Sequence, residues 1–349
     1  MFAPAASPAR AGSDARMREP RRHQARGPRR AADRPITAAR RHGRHNRGMR
    51  HLLAIVSNEK GFGHPVIGSA RLNRLGLHGV RVRGANLCSR VRRLMAPAPD
   101  PALRAALWRD GLVVIENVLA PGEFERARSE FEARLQAHER EQPRPEVRSR
   151  GFGPRLTNPA GFDRADGGSL NRFVRIDERC PTLRSAFGPG SALLRRLHAL
   201  SGVAAAPDAF WLYQLVHGDQ AANPDLQRDV HCDTFHDTFK AWYYFEPVTE
   251  ADGPLMYAPG THRSDAARHA WERRRILVGK VRSSAFRAGA RDLREMGIAP
   301  LRPVLAPANS LVLANTRGFH CRGLAPGGTV RQGLYAGLRP HAFGLWSRG

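Results

Sequence analysis

Residues 231–262 read HCDTFHDTFKAWYYFEPVTEADGPLMYAPGTH, and the first three letters of that stretch decide how the chain is understood. His231 and Asp233 stand two residues apart. On an extended backbone both side chains leave one face while Cys232 points to the other. A histidine and a carboxylate so arranged can grip one metal ion together. Two ligands do not complete a site, so the rest of the chain has to supply a third.

The candidates are His217, His236, His262, His269, His320 and His341. His236 follows too closely to return to the same ion without a tight loop. His262 follows a Pro-Gly-Thr turn, and His269 falls on a helix expected at the surface. His320 is different, because it ends the strand-like run NSLVLANTRGFH, residues 309–320. An apolar strand that delivers one polar side chain at its end suits a ligand. Two histidines and one carboxylate leave open positions on the metal, the arrangement of non-haem iron(II) oxygenases. Eleven residues on, Arg331 opens RQGLYAGL, an alternating strand expected to pair beside the His320 segment. A guanidinium there could hold a dicarboxylate by a bidentate contact that lysine cannot match.

Working outward, the formal charge of +26 on 349 residues suggests a nucleic-acid partner until it is located. Residues 1–50 hold 14 arginines against three acidic residues, so much of the excess precedes the motifs. The domain itself lacks an aromatic–basic RNA-binding pattern, and contact with nucleic acid through the tail is not expected. Residues 1–48 carry too few large apolar side chains to form a core and read as disordered. Three explanations stay open: a start set too far upstream of Met49, a basic tail touching RNA or membrane phosphates, or an Arg-rich transit peptide. Residues 49–98 read as a basic arm on the main domain, with Pro97–Pro101 as a linker, and residues 99–349 as the domain itself.

Within that domain helices are expected over 102–109, 122–141, 192–200, 265–277 and 291–296, and strands over 111–119, 208–216, 302–305, 310–314 and 330–338. The helix at 265–277 is expected to be exposed, with Arg273–Arg275 on a solvated face, and residues 142–180 to be loop-rich. Short strands separated by Gly/Pro turns dominate the second half, which predicts a mainly β jelly roll with flanking helices. Four scattered cysteines without a C-x-x-C pair argue against a disulfide framework and fit a reducing, cytoplasmic setting. No apolar run reaches the roughly 18 residues of a membrane span.

Taken together, these residues resemble the phytanoyl-CoA dioxygenase-like branch of Fe(II)/2-oxoglutarate-dependent oxygenases. His231-Cys-Asp233 is similar to its H-x-D motif, and Gly253-Pro254 with Pro259-Gly260-Thr261-His262 to its Gly…Pro-Gly-Ser/Thr-His segment. Asn309–His320 is similar to the strand carrying the distal histidine, and Arg331 stands where the family keeps its 2-oxoglutarate arginine. The likeness runs from about residue 64 nearly to the end. It implies a double-stranded β-helix, cupin-like, with iron(II) at its mouth and 2-oxoglutarate as cosubstrate. It also implies dioxygen and a small-molecule substrate, with succinate and CO2 released. His231, Asp233 and His320 would be the metal ligands. Asp233 is present where related halogenases have a small residue, which favours hydroxylation. Cys321-Arg322-Gly323 departs from the small polar residues expected there. A hydroxyl contact to the cosubstrate would then come from elsewhere, with Thr316 and Tyr213 as candidates and Arg322 turned to substrate. Lys240 either turns inward to the cosubstrate or an acidic substrate, or faces solvent. Gln214 is a further candidate for a cosubstrate hydrogen bond, whereas Tyr243, Tyr244 and Phe245 are expected to pack the core. Two other readings stand beside this one: a nucleic-acid-associated protein and a non-catalytic jelly-roll binding module. The substrate and the oligomeric state are not legible.

Overall fold

The structure, a computed structural model, describes residues 51–140, 162–163, 169–173, 178–204, 207, 209–218, 225–279 and 281–345. The tail expected over 1–48 and the greater part of the loop-rich stretch over 142–180 lie outside them.

Ten strands are present among the described residues. β1 (Leu112–Ile115), β2 (Phe162–Asp163), β3 (Ser169–Phe173), β4 (Ala209–Val216) and β5 (Phe239–Tyr244) come first. β6 (Leu255–Tyr257), β7 (Arg302–Val304), β8 (Ser310–Asn315), β9 (His320–Arg322) and β10 (Val330–Leu338) complete the set. They form two antiparallel sheets, one of seven strands in the order β1-β8-β5-β10-β4-β3-β2 and one of three in the order β7-β6-β9. Both are jelly-roll-type sheets, and they do not close into a barrel.

Period-two alternation divides each central strand of the large sheet between two environments. Phe239, Ala241 and Tyr243 of β5, Leu212 of β4, and Leu334, Ala336 and Leu338 of β10 join one core. Against that core pack α3 (Pro101–Asp110), α4 (Pro121–Arg140), α5 (Pro181–Phe187) and α6 (Ala192–Ser201). The opposite face meets the small sheet, where Tyr213, Tyr244 and Val312 share a cluster with Tyr257 and Val304. Ahead of these lie α1 (Ala70–Arg74) and α2 (Leu77–Met95), and near the end α7 (Ala266–Leu277) and α8 (Ala290–Glu295). Helical residues outnumber strand residues in this set, so "mainly β" understates the helices.

Several expectations need correction. The first strand stops at Ile115, because Asn117 takes a positive φ of 51° and turns the chain. The stretch expected to be loops supplies β2 and β3, which extend the large sheet through β4. Asp100 caps α3, its Oδ1 accepting from the Leu103 amide at 3.1 Å, so the proline-rich linker ends in a helix start rather than open chain. α7 is not an exposed helix: Arg268, Trp271 and Glu272 are buried.

That buried face holds an ionic network around the loops beside the cavity. Arg268 Nε lies 2.9 Å from Glu272 Oε1, and His78 Nε2 lies 2.9 Å from Glu272 Oε2. Arg268 also donates to the Arg317 carbonyl at 3.1 Å. Arg317 in turn pairs with Asp237 at 3.6 Å, and Asn315 Nδ2 donates to the same carboxylate at 2.9 Å. Burial opposes charge on Glu272, yet Arg268 and His78 hold its carboxyl down at about 2. Its contribution to stability is therefore complete above its ordinary value of 4.5 and is lost as pH falls towards 2. Glu272→Gln leaves a buried guanidinium without its counter-charge and should cost about 3–5 kcal/mol in denaturant unfolding; most of that difference should vanish in acid.

Candidate metal centre

The two histidines meet through their backbones. His231 N donates to His320 O and His320 N to His231 O, each at 2.9 Å, so the residues face each other as an antiparallel pair. Asp233 N donates to Thr316 O at 2.9 Å, which ties the next turn of the segment to the same hairpin. His320 does not end the preceding strand. β8 stops at Asn315, residues 316–319 turn, and His320 opens β9 in the other sheet. Asn315 Oδ1 accepts from Arg317 N at 3.2 Å, and Asn315 O from Gly318 N at 3.0 Å, which makes the turn sharp. Gly318 sits where any Cβ would strike the Tyr257 hydroxyl.

This backbone brings three side chains to one point. His231 Nε2 and His320 Nε2 lie 3.8 and 3.9 Å from Asp233 Oδ1, and one donor atom from each residue lies within 4.8 Å of the others. The far ring nitrogens are engaged, His231 Nδ1 with Asp229 O at 2.7 Å and His320 Nδ1 with Gly318 O at 2.9 Å. A carbonyl can only accept, so Nδ1 carries the proton and Nε2 presents a lone pair. Burial keeps both rings neutral, lowering His231 and holding His320 down at about 3. Two lone pairs facing a carboxylate oxygen repel one another unless a cation sits between them. Nitrogen, nitrogen and oxygen donors with fixed tautomers suit divalent iron.

Lys240 faces the cavity rather than solvent, with Nζ 2.8 Å from Asp233 Oδ2. Burial alone would raise the Asp233 carboxyl, but the Lys240 ammonium draws it well below the usual carboxylate range. Lys240 thereby occupies the outer oxygen and leaves Oδ1 for the histidine side. Lys60, from the stretch read as a basic arm, donates to the Asp233 carbonyl at 3.0 Å. No sequence signal marked it.

The cavity beside these residues measures about 330 Å³. Its far wall is the inward face of the large sheet, where Lys240, Trp242 and Tyr244 alternate on β5, and Trp211, Tyr213 and Leu215 on β4. Tyr335 stacks on Trp211 at 4.8 Å between ring centroids and meets Trp242 edge-on at 5.9 Å. Tyr244 thus lines the cavity, whereas Tyr243 and Phe245 pack the core as expected. The aromatic wall was missed because its signal is the i, i+2 pattern of three separate strands, readable only once their register is known.

Arg331 enters from the large sheet. β10 pairs with β4 and β5, with Arg331 opposite Leu215, and not with the His320 strand as expected. Its Nη1 donates to Gly253 O, while its buried Nε has no hydrogen-bond partner. The Tyr213 and Tyr244 hydroxyls meet beside it, both pushed up by burial. A buried donor left open on the cavity wall is what an incoming carboxylate would satisfy. Gln214 is a correction: alternation turns it to the opposite face of β4 from Tyr213 and Leu215, away from the cavity. Thr316 is likewise spent elsewhere, its hydroxyl 3.1 Å from that of Thr238. Arg322 reaches the cavity paired with Asp225. Cys321 stays a thiol, its pKa pushed up to about 11 by burial.

Residues 107–277 match the family model described as phytanoyl-CoA dioxygenase (PhyH). The matched domain belongs to the phytanoyl-CoA dioxygenase-like family. It is an Fe(II)/2-oxoglutarate-dependent oxygenase by that membership, and its donor set fits the family's iron and cosubstrate. Solved structures that resemble it include AviO1 from Streptomyces viridochromogenes Tue57, at 15% identity over 69% of this chain and 95% of that one, with a TM-score of 0.42. HygX from Streptomyces hygroscopicus, with nickel and 2-oxoglutarate bound, is 19% identical over 69% and 87%, with a TM-score of 0.38. The epimerase SnoN, in complex with Fe3+, alpha ketoglutarate and nogalamycin RO, is 19% identical over 68% and 84%, with a TM-score of 0.41. No curated protein matches the sequence closely enough to count as a relative.

Lys240→Met should weaken Co(II) or Ni(II) binding roughly 10–100-fold in titration calorimetry, the usual cost of losing an outer partner of a ligand. Lys240→Arg should recover part of it. Equal, unchanged affinity in both variants would show that the ion pair does not position Asp233.

Proposed function

We propose that the chain hydroxylates a small molecule at an unactivated carbon, with iron(II) held by His231, Asp233 and His320 and 2-oxoglutarate anchored by Arg331. The observation that carries this reading is the convergence of two Nε2 lone pairs on Asp233 Oδ1, across a cavity from an arginine with an open buried donor. Iron and 2-oxoglutarate together supply dioxygen activation coupled to oxidative decarboxylation of the cosubstrate.

The remaining work falls to the protein's own groups. His231 and His320 are held in their tautomers by the Asp229 and Gly318 carbonyls. Lys240 fixes Asp233 through its outer oxygen. Arg331 offers Nε to the far carboxylate of the cosubstrate, with the Tyr213 hydroxyl as the neighbouring donor in place of Thr316. Trp211, Trp242 and Tyr335 present flat apolar faces that would seat substrate and exclude water. Asp233 keeps a carboxylate at the position a halide would need, which favours hydroxylation.

Anaerobic addition of Fe(II) and 2-oxoglutarate should give a weak visible charge-transfer band that His231→Ala and Asp233→Ala lack. A wild-type protein that binds neither would end the oxygenase reading. Arg331→Ala should weaken 2-oxoglutarate binding by about 10–100-fold, as expected for loss of charge-assisted hydrogen bonds, with iron affinity little changed. Equal loss of both would make Arg331 structural. Succinate formation across fatty acyl, amino-acid and secondary-metabolite candidates would identify the substrate class.

A further inference from the structure

Helix α2 buries polar side chains and exposes large apolar ones. Its inward face carries His78, Arg81, Ser89 and Arg92 beside Val82 and Ala85, all buried. Each has a polar partner: His78 Nε2 has Glu272 at 2.9 Å, Arg81 the Ile55, Ser57 and Glu59 carbonyls, Ser89 Asp237, and Arg92 the His341 carbonyl at 3.0 Å. Its outward face carries Val80, Leu87 and Leu94, exposed by 61%, 64% and 72%. These stand seven residues apart and so share one stripe, with exposed Arg83 and Arg90 between them. α1 likewise buries Asn73 and leaves Leu72 exposed, and Leu75, which follows its last residue, is 84% exposed. Among the described residues nine of the sixteen exposed large apolar side chains lie between Leu52 and Met95. An aliphatic surface so concentrated marks something that binds it.

Charge selects the occupant. Neither α1 nor α2 contains an acidic residue, and five of their seven arginines, Arg71, Arg74, Arg83, Arg90 and Arg93, reach solvent. A second copy of the face would set like charges against each other. The preceding segment, with 14 arginines among residues 1–50, carries the same sign and would be repelled. A nucleic acid would satisfy Arg83 and Arg90 but leave the aliphatic stripe in water. An anionic lipid surface meets both requirements, with acyl chains for the stripe and phosphates for the arginines. No helix among the described residues is long and apolar enough to cross a membrane, so the mode is peripheral. We propose that the α1–α2 face docks the enzyme on an anionic lipid surface, with Val80, Leu87 and Leu94 at the headgroup–acyl boundary.

The test is flotation of the full chain with phosphatidylcholine vesicles made with and without phosphatidylglycerol. Binding should require phosphatidylglycerol and weaken about tenfold or more in Leu87→Gln/Leu94→Gln, which removes apolar contact while keeping helix formers. Arg83→Glu/Arg90→Glu should lose binding as well, and both variants should keep the wild-type melting temperature and the Fe(II)/2-oxoglutarate band. Undiminished binding of the glutamine variant would overturn the proposal, as would equal binding to phosphatidylcholine alone. So would a concentration-dependent dimer that the glutamine variant abolishes, or single-stranded RNA binding with the same dependence on Leu87 and Leu94.

Discussion

Two reciprocal backbone hydrogen bonds between His231 and His320 hold the centre together. Everything that makes the site chemical hangs from them. They set the two imidazoles side by side, with centroids 4.5 Å apart. The segment continues to Asp233 and its tie to Thr316, so the carboxylate arrives beside both Nε2 atoms without a full strand to carry it. A side-chain interaction could not do this job as well, because donor atoms that are to hold an ion would have to stay free for it. The backbone provides the geometry and the side chains keep their lone pairs.

Around that pair the fold spends charge to hold loops still. Arg268, Glu272, Arg317 and Asp237 form paired ions in the interior, and all but Glu272 are also tied to a backbone or amide group at the turn that precedes His320. Buried ion pairs contribute little net stability against an apolar alternative. Their value here is directional: Arg268 fixes the Arg317 carbonyl, and Asn315 anchors the start of the turn while bonding Asp237. Asp233 differs from these acids in having its second oxygen on a lysine that also faces the cavity.

Much of this was legible in the sequence, and the gaps have physical causes. The ligand trio and Arg331 could be proposed because their spacing is local or ordered along the chain. Strands such as Val330–Leu338 emerged with the expected bounds because alternation and turn residues agree. What failed was pairing. Arg331 was expected beside the His320 strand, yet it lies in the other sheet, since partners in a jelly roll are chosen by long-range packing that period-two patterns do not encode. Gln214 failed for a smaller reason: a shift of one residue along β4 changes the face. α7 misled because arginines and glutamates read as surface, and only the structure shows Arg268 and Glu272 neutralising each other inside. The buried arginines of α2 escaped notice for the same reason.

The division of labour between the sheets bears on how such a protein could change over time. His320 opens β9 of the small sheet and His231 bridges to it from outside the strands, while Trp211, Trp242 and Tyr335 project from the large one. Substitutions that reshape the aromatic wall leave the hydrogen bonds between His231 and His320 untouched. On the proposed reading, selectivity would drift by single residues while the metal centre is inherited intact.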